Sequence, residues 1–178
     1  WVIAAAAAGA TVRWVDFDPD TSELPVAAVA AQLTDHTRLV AVTAASNLIG
    51  TMPDVRGIAE LTHAAGALLY VDGVHYTAHG VVDVRELGAD FFACSPYKFL
   101  GPHCGVVAGR ADVLAELRPA KLLPSPDRVP ERFELGTLPY EVMAGATAAV
   151  DFLAGMTGAA GSRRGRLVAS LGALEAHE

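Results

Sequence analysis

Three short apolar runs, each bounded by glycine, proline or polar turn residues, constrain this chain more than any other feature: Arg38 to Ala44 (RLVAVTA), Ala67 to Val71 (ALLYV) and Asp90 to Cys94 (DFFAC). Each is too short for a buried helix and lacks the strict alternation of a half-exposed strand. Such runs suit strands covered on both faces, as in parallel sheets. Between the first two, Asp54 is placed to cap a helix from Val55 to Ala65, which Gly66 closes. A fourth run, Gly105 to Ala108, follows the third across the turn at Gly101-Pro102, so this last pair is expected to be antiparallel. Upstream, Trp1 to Ala8 reads as a helix closed by Gly9, Thr11 to Phe17 as a strand, Asp18-Pro19-Asp20 as a turn and Pro25 to Leu33 as a helix. Strand alternating with helix defines the class: α/β, a mostly parallel sheet with flanking helices.

Composition narrows what such a fold would bind. The 178 residues, 52% hydrophobic and 19% charged, fit one domain with a sizeable core. A net charge of −7 supplies no basic stripe, so neither nucleic acid nor an anionic membrane is an expected partner. The alanine run Ala4 to Ala8 is flanked closely by Gly9 and Arg13, and no apolar stretch approaches the roughly 18 residues of a membrane span. Nothing reads as a signal peptide, since Arg13 follows the apolar segment instead of preceding it. Cys94 and Cys104 form no C-x-x-C, which argues against a disulfide scaffold or a zinc finger. A cytoplasmic setting is the expectation. The chain opens on Trp1, inside a helical run, and Glu178 falls in another, so it reads as a fragment.

In a parallel sheet, functional groups gather beyond the carboxyl ends of the strands. Asn47, Asp72, His75, Ser95 and Lys98 all fall there. Lys98, one of only two lysines, sits in the largely apolar run Phe91 to Gly101. Apolar surroundings disfavour an ammonium and favour the nucleophilic amine that Schiff-base chemistry requires. With a carboxylate and an imidazole delivered upstream, the pattern points to pyridoxal 5'-phosphate. Asp72 would keep the ring nitrogen protonated, so that the ring acts as an electron sink. His75 would donate to the ring hydroxyl, and Asn47 would reach the same oxygen or a substrate carboxylate. Ser95, with nearby backbone amides, would help hold the phosphate. Lys98 would carry the aldimine and move the substrate α-proton.

Other classes fit less well. Asp72, His75 and His79 form D-x-x-H-x-x-x-H, the ligand set of a rival metal-dependent hydrolase. Tyr76 stands where the helical H-E-x-x-H pattern places its glutamate, and Gly73 and Gly80 favour a loop, so no metal ion is expected. A dinucleotide site would need G-x-G-x-x-G after the first strand, and none is present.

The stretches VDGVHYTAHG, DFFACSPYKFLGPHCGVVAG and RFELGT resemble the class V aminotransferase family, the cysteine desulfurase-like branch of fold-type I pyridoxal-phosphate enzymes. The resemblance runs from about Trp1 to Tyr140 and implies part of that fold's large domain and the activity of a transferase or lyase acting on a small amino acid through an external aldimine. The family's strand-end aspartate, followed by glutamine or histidine, falls on Asp72 and His75. Its S-x-H-K motif falls on Ser95 and Lys98, and its S-N-x-x-G loop on Ser46, Asn47 and Gly50. Its E-x-G-T segment falls on Glu134, Gly136 and Thr137, which in the family homodimer reach the phosphate of the neighbouring subunit. Tyr97 stands where many cysteine desulfurases have histidine. Cys104 lies too close to Lys98 to match their catalytic cysteine, which comes in a much later loop. A non-catalytic remnant of the same fold is the alternative.

Residues 1–154 are read as the partial cofactor-binding domain and 155–178 as a helical tail leading towards a small domain. Within them, Pro139 to Ala154 has helical spacing, Gly155 to Gly161 is a break, and Arg163 to Arg166 reads as a solvated helix face.

Overall fold

The computed structural model describes residues 1–177. Four strands form one sheet in the order β1 (Leu39–Thr43), β2 (Leu68–Asp72), β3 (Phe91–Cys94) and β4 (Val106–Gly109). β1, β2 and β3 run parallel, and β4 returns antiparallel with Cys94 opposite Val106. The α/β class and the antiparallel final pair match the sequence reading. Glu178 lies outside the described residues.

The helices arise where local chemistry allows them to start and stop. α1 spans Val2–Ala7 and ends before Gly9, whose φ of 67° suits a residue without a Cβ. α2 is Val26–Ala30, shorter than its apolar spacing suggests. α3, Val55–Ala64, begins where the Asp54 carboxylate accepts the amide hydrogen of Gly57 at 2.9 Å. α4 (Ala111–Glu116) follows β4, and α5 (Tyr140–Gly155) packs against α6 (Arg163–Glu175), burying Leu153, Ala154 and Leu171.

The core lies on one side of the sheet. Val42, Leu69, Val71 and Phe92 meet Val29 of α2 and Val55, Ile58 and Ala59 of α3. Ile58 and Leu69 are fully buried, and truncating either to alanine costs about 2–5 kcal/mol in cores of this kind. The opposite side is not sealed. Ala41 is exposed, Tyr70 stacks on Phe91 at 5.9 Å, and Trp1 meets Tyr70 edge-on at 4.9 Å. β1 is thus covered on one face, not on both as its continuous apolar run implies.

Thr11 to Phe17 forms no strand. Val15 packs against the core, but Trp14 and Phe17 are exposed and the segment joins no ladder. Alternation selects an extended conformation; only backbone pairing makes a strand.

A buried carboxylate fastens the sheet to its surroundings. The Asp90 side chain is closed to solvent and accepts hydrogen bonds from the Leu69 amide at 2.7 Å, His63 Nε2 at 2.9 Å and Arg110 Nη1 at 2.6 Å. Burial pushes its pKa up, but these bonds, the Leu69 amide first, hold it below the ordinary carboxylate range. Arg110 also pairs with Asp112, and these two carboxylates, Asp112 foremost, raise its own pKa.

Arg163 and Arg164 are exposed, as expected of a solvated helix face, and both are engaged in pairs on the surface. Arg163 pairs with Asp151 at 2.7 Å. Arg164 donates to the Val82 carbonyl at 2.7 Å and pairs with Asp83 at 3.3 Å, tying α6 to the loop beyond β2. No helix among the described residues is long and apolar enough to cross a membrane.

Candidate active site

The carboxyl ends of β1 and β2 open onto a hollow of about 170 Å³ lined by Thr43, Ala45, Asn47, Asp72, Val74, His75, Tyr97 and Lys98. Four of the sequence-predicted site residues, Asn47, Asp72, His75 and Lys98, therefore meet in one place. Parallel pairing brings them there: Thr43 lies opposite Asp72, and Asp72 opposite Ala93, so the three strand tips are in register.

Each side chain is set by its own local structure. Asp72 is exposed at the end of β2, and its Oδ1 accepts the Val74 amide at 3.0 Å, which turns the chain immediately after the strand. Its charge, after burial, contributes to the raised pKa of neighbouring Tyr70. Next in sequence, Gly73 donates to the Ala93 carbonyl at 2.8 Å, and a Cβ on it would stand 1.9 Å from Cζ of Phe92. Only glycine lets the turn pass over that ring. Thr77 closes the same turn, its amide and hydroxyl donating to the Gly73 carbonyl at 2.9 and 2.7 Å.

His75 leads into the short turn Tyr76–Ala78, and its ring lies 4.7 Å from that of His79. Nδ1 of His75 is buried without a hydrogen-bond partner in the chain. A buried polar atom left unpaired is costly, and a ligand in the hollow would relieve it. Among the described residues no group of three or more His, Cys, Asp or Glu side chains could hold a metal ion, so Asp72, His75 and His79 do not assemble the ligand set of the hydrolase reading.

Asn47 is carried by a small closed loop. Ser46 Oγ accepts the amides of Leu48 and Ile49 at 3.3 Å, its own amide donates to the Thr51 carbonyl at 2.9 Å, and Gly50 adopts φ of 76°. Lys98 belongs to the helical turn Pro96–Phe99, where its amide donates to the Ser95 carbonyl at 2.9 Å. Its surroundings are less apolar than the sequence suggests. The side chain is half-buried, and Nζ lies over the Tyr97 ring, 5.4 Å from the centroid.

The other predicted residues stand apart. Ser95 begins the turn without a side-chain capping bond and does not line the hollow. Gly136 and Thr137 are exposed ahead of α5, also outside the lining. Four lining residues, Thr43, Ala45, Val74 and Tyr97, were not anticipated as such from sequence. Thr43 Oγ1 donates to the Ala45 carbonyl at 2.7 Å, shaping the exit from β1. For Tyr97, the available signal was its place between Ser95 and Lys98, where the resembled motif carries histidine.

This geometry, an α/β sheet with lysine, aspartate and histidine beyond its strand tips, agrees with the comparisons to known proteins. The sequence matches the aminotransferase class-V family over residues 1–171, and the chain belongs to that family. It is 39% identical over 145 residues to the aminotransferase-like protein FGM3 of Gibberella zeae, covering 80% of this chain and 36% of that protein. A probable cysteine desulfurase of Halalkalibacterium halodurans is 34% identical over 165 residues, 86% of this chain and 40% of the relative. Among solved structures, the apo cysteine desulfurase of Thermococcus onnurineus superposes with a TM-score of 0.81 at 25% identity, over 99% of this chain and 44% of that one. The cysteine desulfurase CsdA of Escherichia coli gives 0.78 at 26% identity, over 87% of this chain and 42% of its own. The chain spans less than half the length of these relatives. The fold is that of fold-type I pyridoxal-phosphate enzymes, and the family depends on that cofactor.

Proposed function

We propose that this chain carries the lysine-bearing part of a pyridoxal-phosphate-dependent enzyme that acts on an amino acid, as transferase or lyase. The single observation that carries the reading is the meeting of Asp72, His75, Asn47 and Lys98 in one hollow. The residues fit the cofactor: a carboxylate for its ring nitrogen, an unpartnered buried imidazole nitrogen for its hydroxyl, and an amine within the same cavity. When bound, the cofactor supplies an aldehyde and an electron-withdrawing ring.

The protein groups then have distinct tasks. Asp72 holds a proton on the ring nitrogen through a charge-assisted hydrogen bond. His75 offers Nδ1 to the ring hydroxyl, and Asn47 orients the same oxygen or the substrate carboxylate. Lys98 Nζ would hold the cofactor at its aldehyde carbon and, as a free amine, would take and return the proton at the substrate α-carbon. Ser95, at the start of the turn that bears Lys98 and outside the lining of the hollow, would serve the phosphate. Gly136 and Thr137 would reach the phosphate of a second subunit, so the working form is read as a cytoplasmic homodimer. Exposed apolar side chains around that segment, Leu122, Leu123, Leu135, Tyr140 and Met143, support an interface there. We read residues 1–154 as the sheet-bearing, cofactor-binding part and 155–178 as a helical tail, of which α6 packs back on α5.

Titrating pyridoxal phosphate into the purified protein, with visible absorbance as readout, tests the reading. A new absorption band that is lost in Lys98→Ala and kept in Lys121→Ala is expected. A band that survives Lys98→Ala overturns the assignment, and no band in the parent protein favours the non-catalytic remnant.

A further inference from the structure

Lys98 does not reach the hollow unaccompanied. Its Nζ lies over the Tyr97 ring, and that ring is stacked on the imidazole of His103, with centroids 5.1 Å apart and planes within 5°. Adjacent residues in a helical turn point in different directions, so the turn itself does not fold the amine back over the preceding ring.

The imidazole arrives across a tight reversal. Leu100 adopts φ of 69°, and the Gly101 amide donates to the Pro96 carbonyl at 2.8 Å. A Cβ on Gly101 would stand 2.8 Å from Cβ of Pro96, so glycine permits the fold-back that carries His103 to Tyr97. Tyr97 is 44% exposed, yet it lines the hollow beside Lys98. The core does not need this ring. An ammonium within about 6 Å of an aromatic centroid is attracted by the electron-rich face.

We infer that Tyr97, backed by His103, is a positioning residue for Lys98: its ring holds the amine at the lip of the hollow that Asp72 and His75 also line. The inference deepens the reading of Lys98 as the amine that meets the cofactor, and its test separates the two.

Reductive methylation with ¹³C-formaldehyde gives, beside the signal of the α-amino group, one dimethylammonium signal from each of the two lysines, Lys98 and Lys121. In cofactor-free protein the proton signal of Lys98 should lie upfield of that of Lys121, displaced by the Tyr97 ring current. Tyr97→Phe should keep the displacement, Tyr97→Leu should abolish it, and His103→Ala should reduce it. A Lys98 signal already at the Lys121 position, or one unmoved by Tyr97→Leu, overturns the inference; a displacement unchanged in His103→Ala overturns the part given to His103. In unmethylated protein, pyridoxal-phosphate capture at Lys98 under borohydride reads the cofactor assignment separately. Capture without ring-current displacement sinks the positioning role and spares the cofactor reading; displacement without capture does the reverse.

Discussion

Gly73 and Phe92 share a space that admits only one side chain: a Cβ on the glycine would stand 1.9 Å from Cζ of the ring. The glycine sits between Asp72 and the turn that delivers His75, so the packing of β3 sets the path of the site loop. Gly73→Ala should push Phe92 from the core or lift the loop. The expected cost is about 1–3 kcal/mol in urea unfolding, as for other overpacked cores. Cofactor retention should fall alongside, because Asp72 moves with the turn.

Asp90 makes the fold sensitive to acid. Its folded pKa is lowered, so its stabilising contribution is complete above the unfolded carboxylate value, about 3.9, and is lost as pH falls through the lowered folded value. Thermal unfolding measured from pH 6 down to pH 2 should show a decline that Asp90→Asn flattens. At neutral pH the same variant should lose roughly 2–3 kcal/mol, less than a fully buried ion pair because Arg110 and His63 are both partly exposed.

Arg164 links α6 to the segment that follows the site loop. Arg164→Ala removes a hydrogen bond to the Val82 carbonyl and a partly exposed pair with Asp83. A loss of about 0.5–1.5 kcal/mol in denaturant midpoint is expected. Hydrogen exchange should quicken around residues 76–84 while β1 and β2 keep their protection.

Much of this was legible beforehand, and particular residues show why. The runs at Leu39–Thr43, Leu68–Asp72 and Phe91–Cys94 are strands because continuous apolar side chains bounded by turns leave few alternatives, and Asp54 is a cap because its carboxylate meets the Gly57 amide. Asp72, His75, Asn47 and Lys98 were found together because strand ends of a parallel sheet converge. The segment Thr11 to Phe17 has the pattern of a strand but finds no ladder, and pairing is a tertiary event that periodicity does not encode. The open face beside Ala41 and Tyr70 is likewise a matter of what packs there. Tyr97 was overlooked as a lining residue although it fills the histidine place between Ser95 and Lys98, because the motif does not say which way a tyrosine ring there turns.

Asp72 and Lys98 stand or fall together in the cofactor reading. Asp72→Ala should leave the fold intact, since the side chain is exposed and its one hydrogen bond is to the Val74 amide. Turnover with an amino-acid substrate should nonetheless drop by about 10²–10⁴, the range for losing a positioned charged group in proton-transfer chemistry.

The most direct measurement is borohydride reduction of the protein loaded with pyridoxal phosphate, followed by mass mapping of the pyridoxyl-bearing peptide. The label is expected on Lys98, within the peptide that holds Tyr97 and Phe99. A label on Lys121, or none on the chain, would contradict the account.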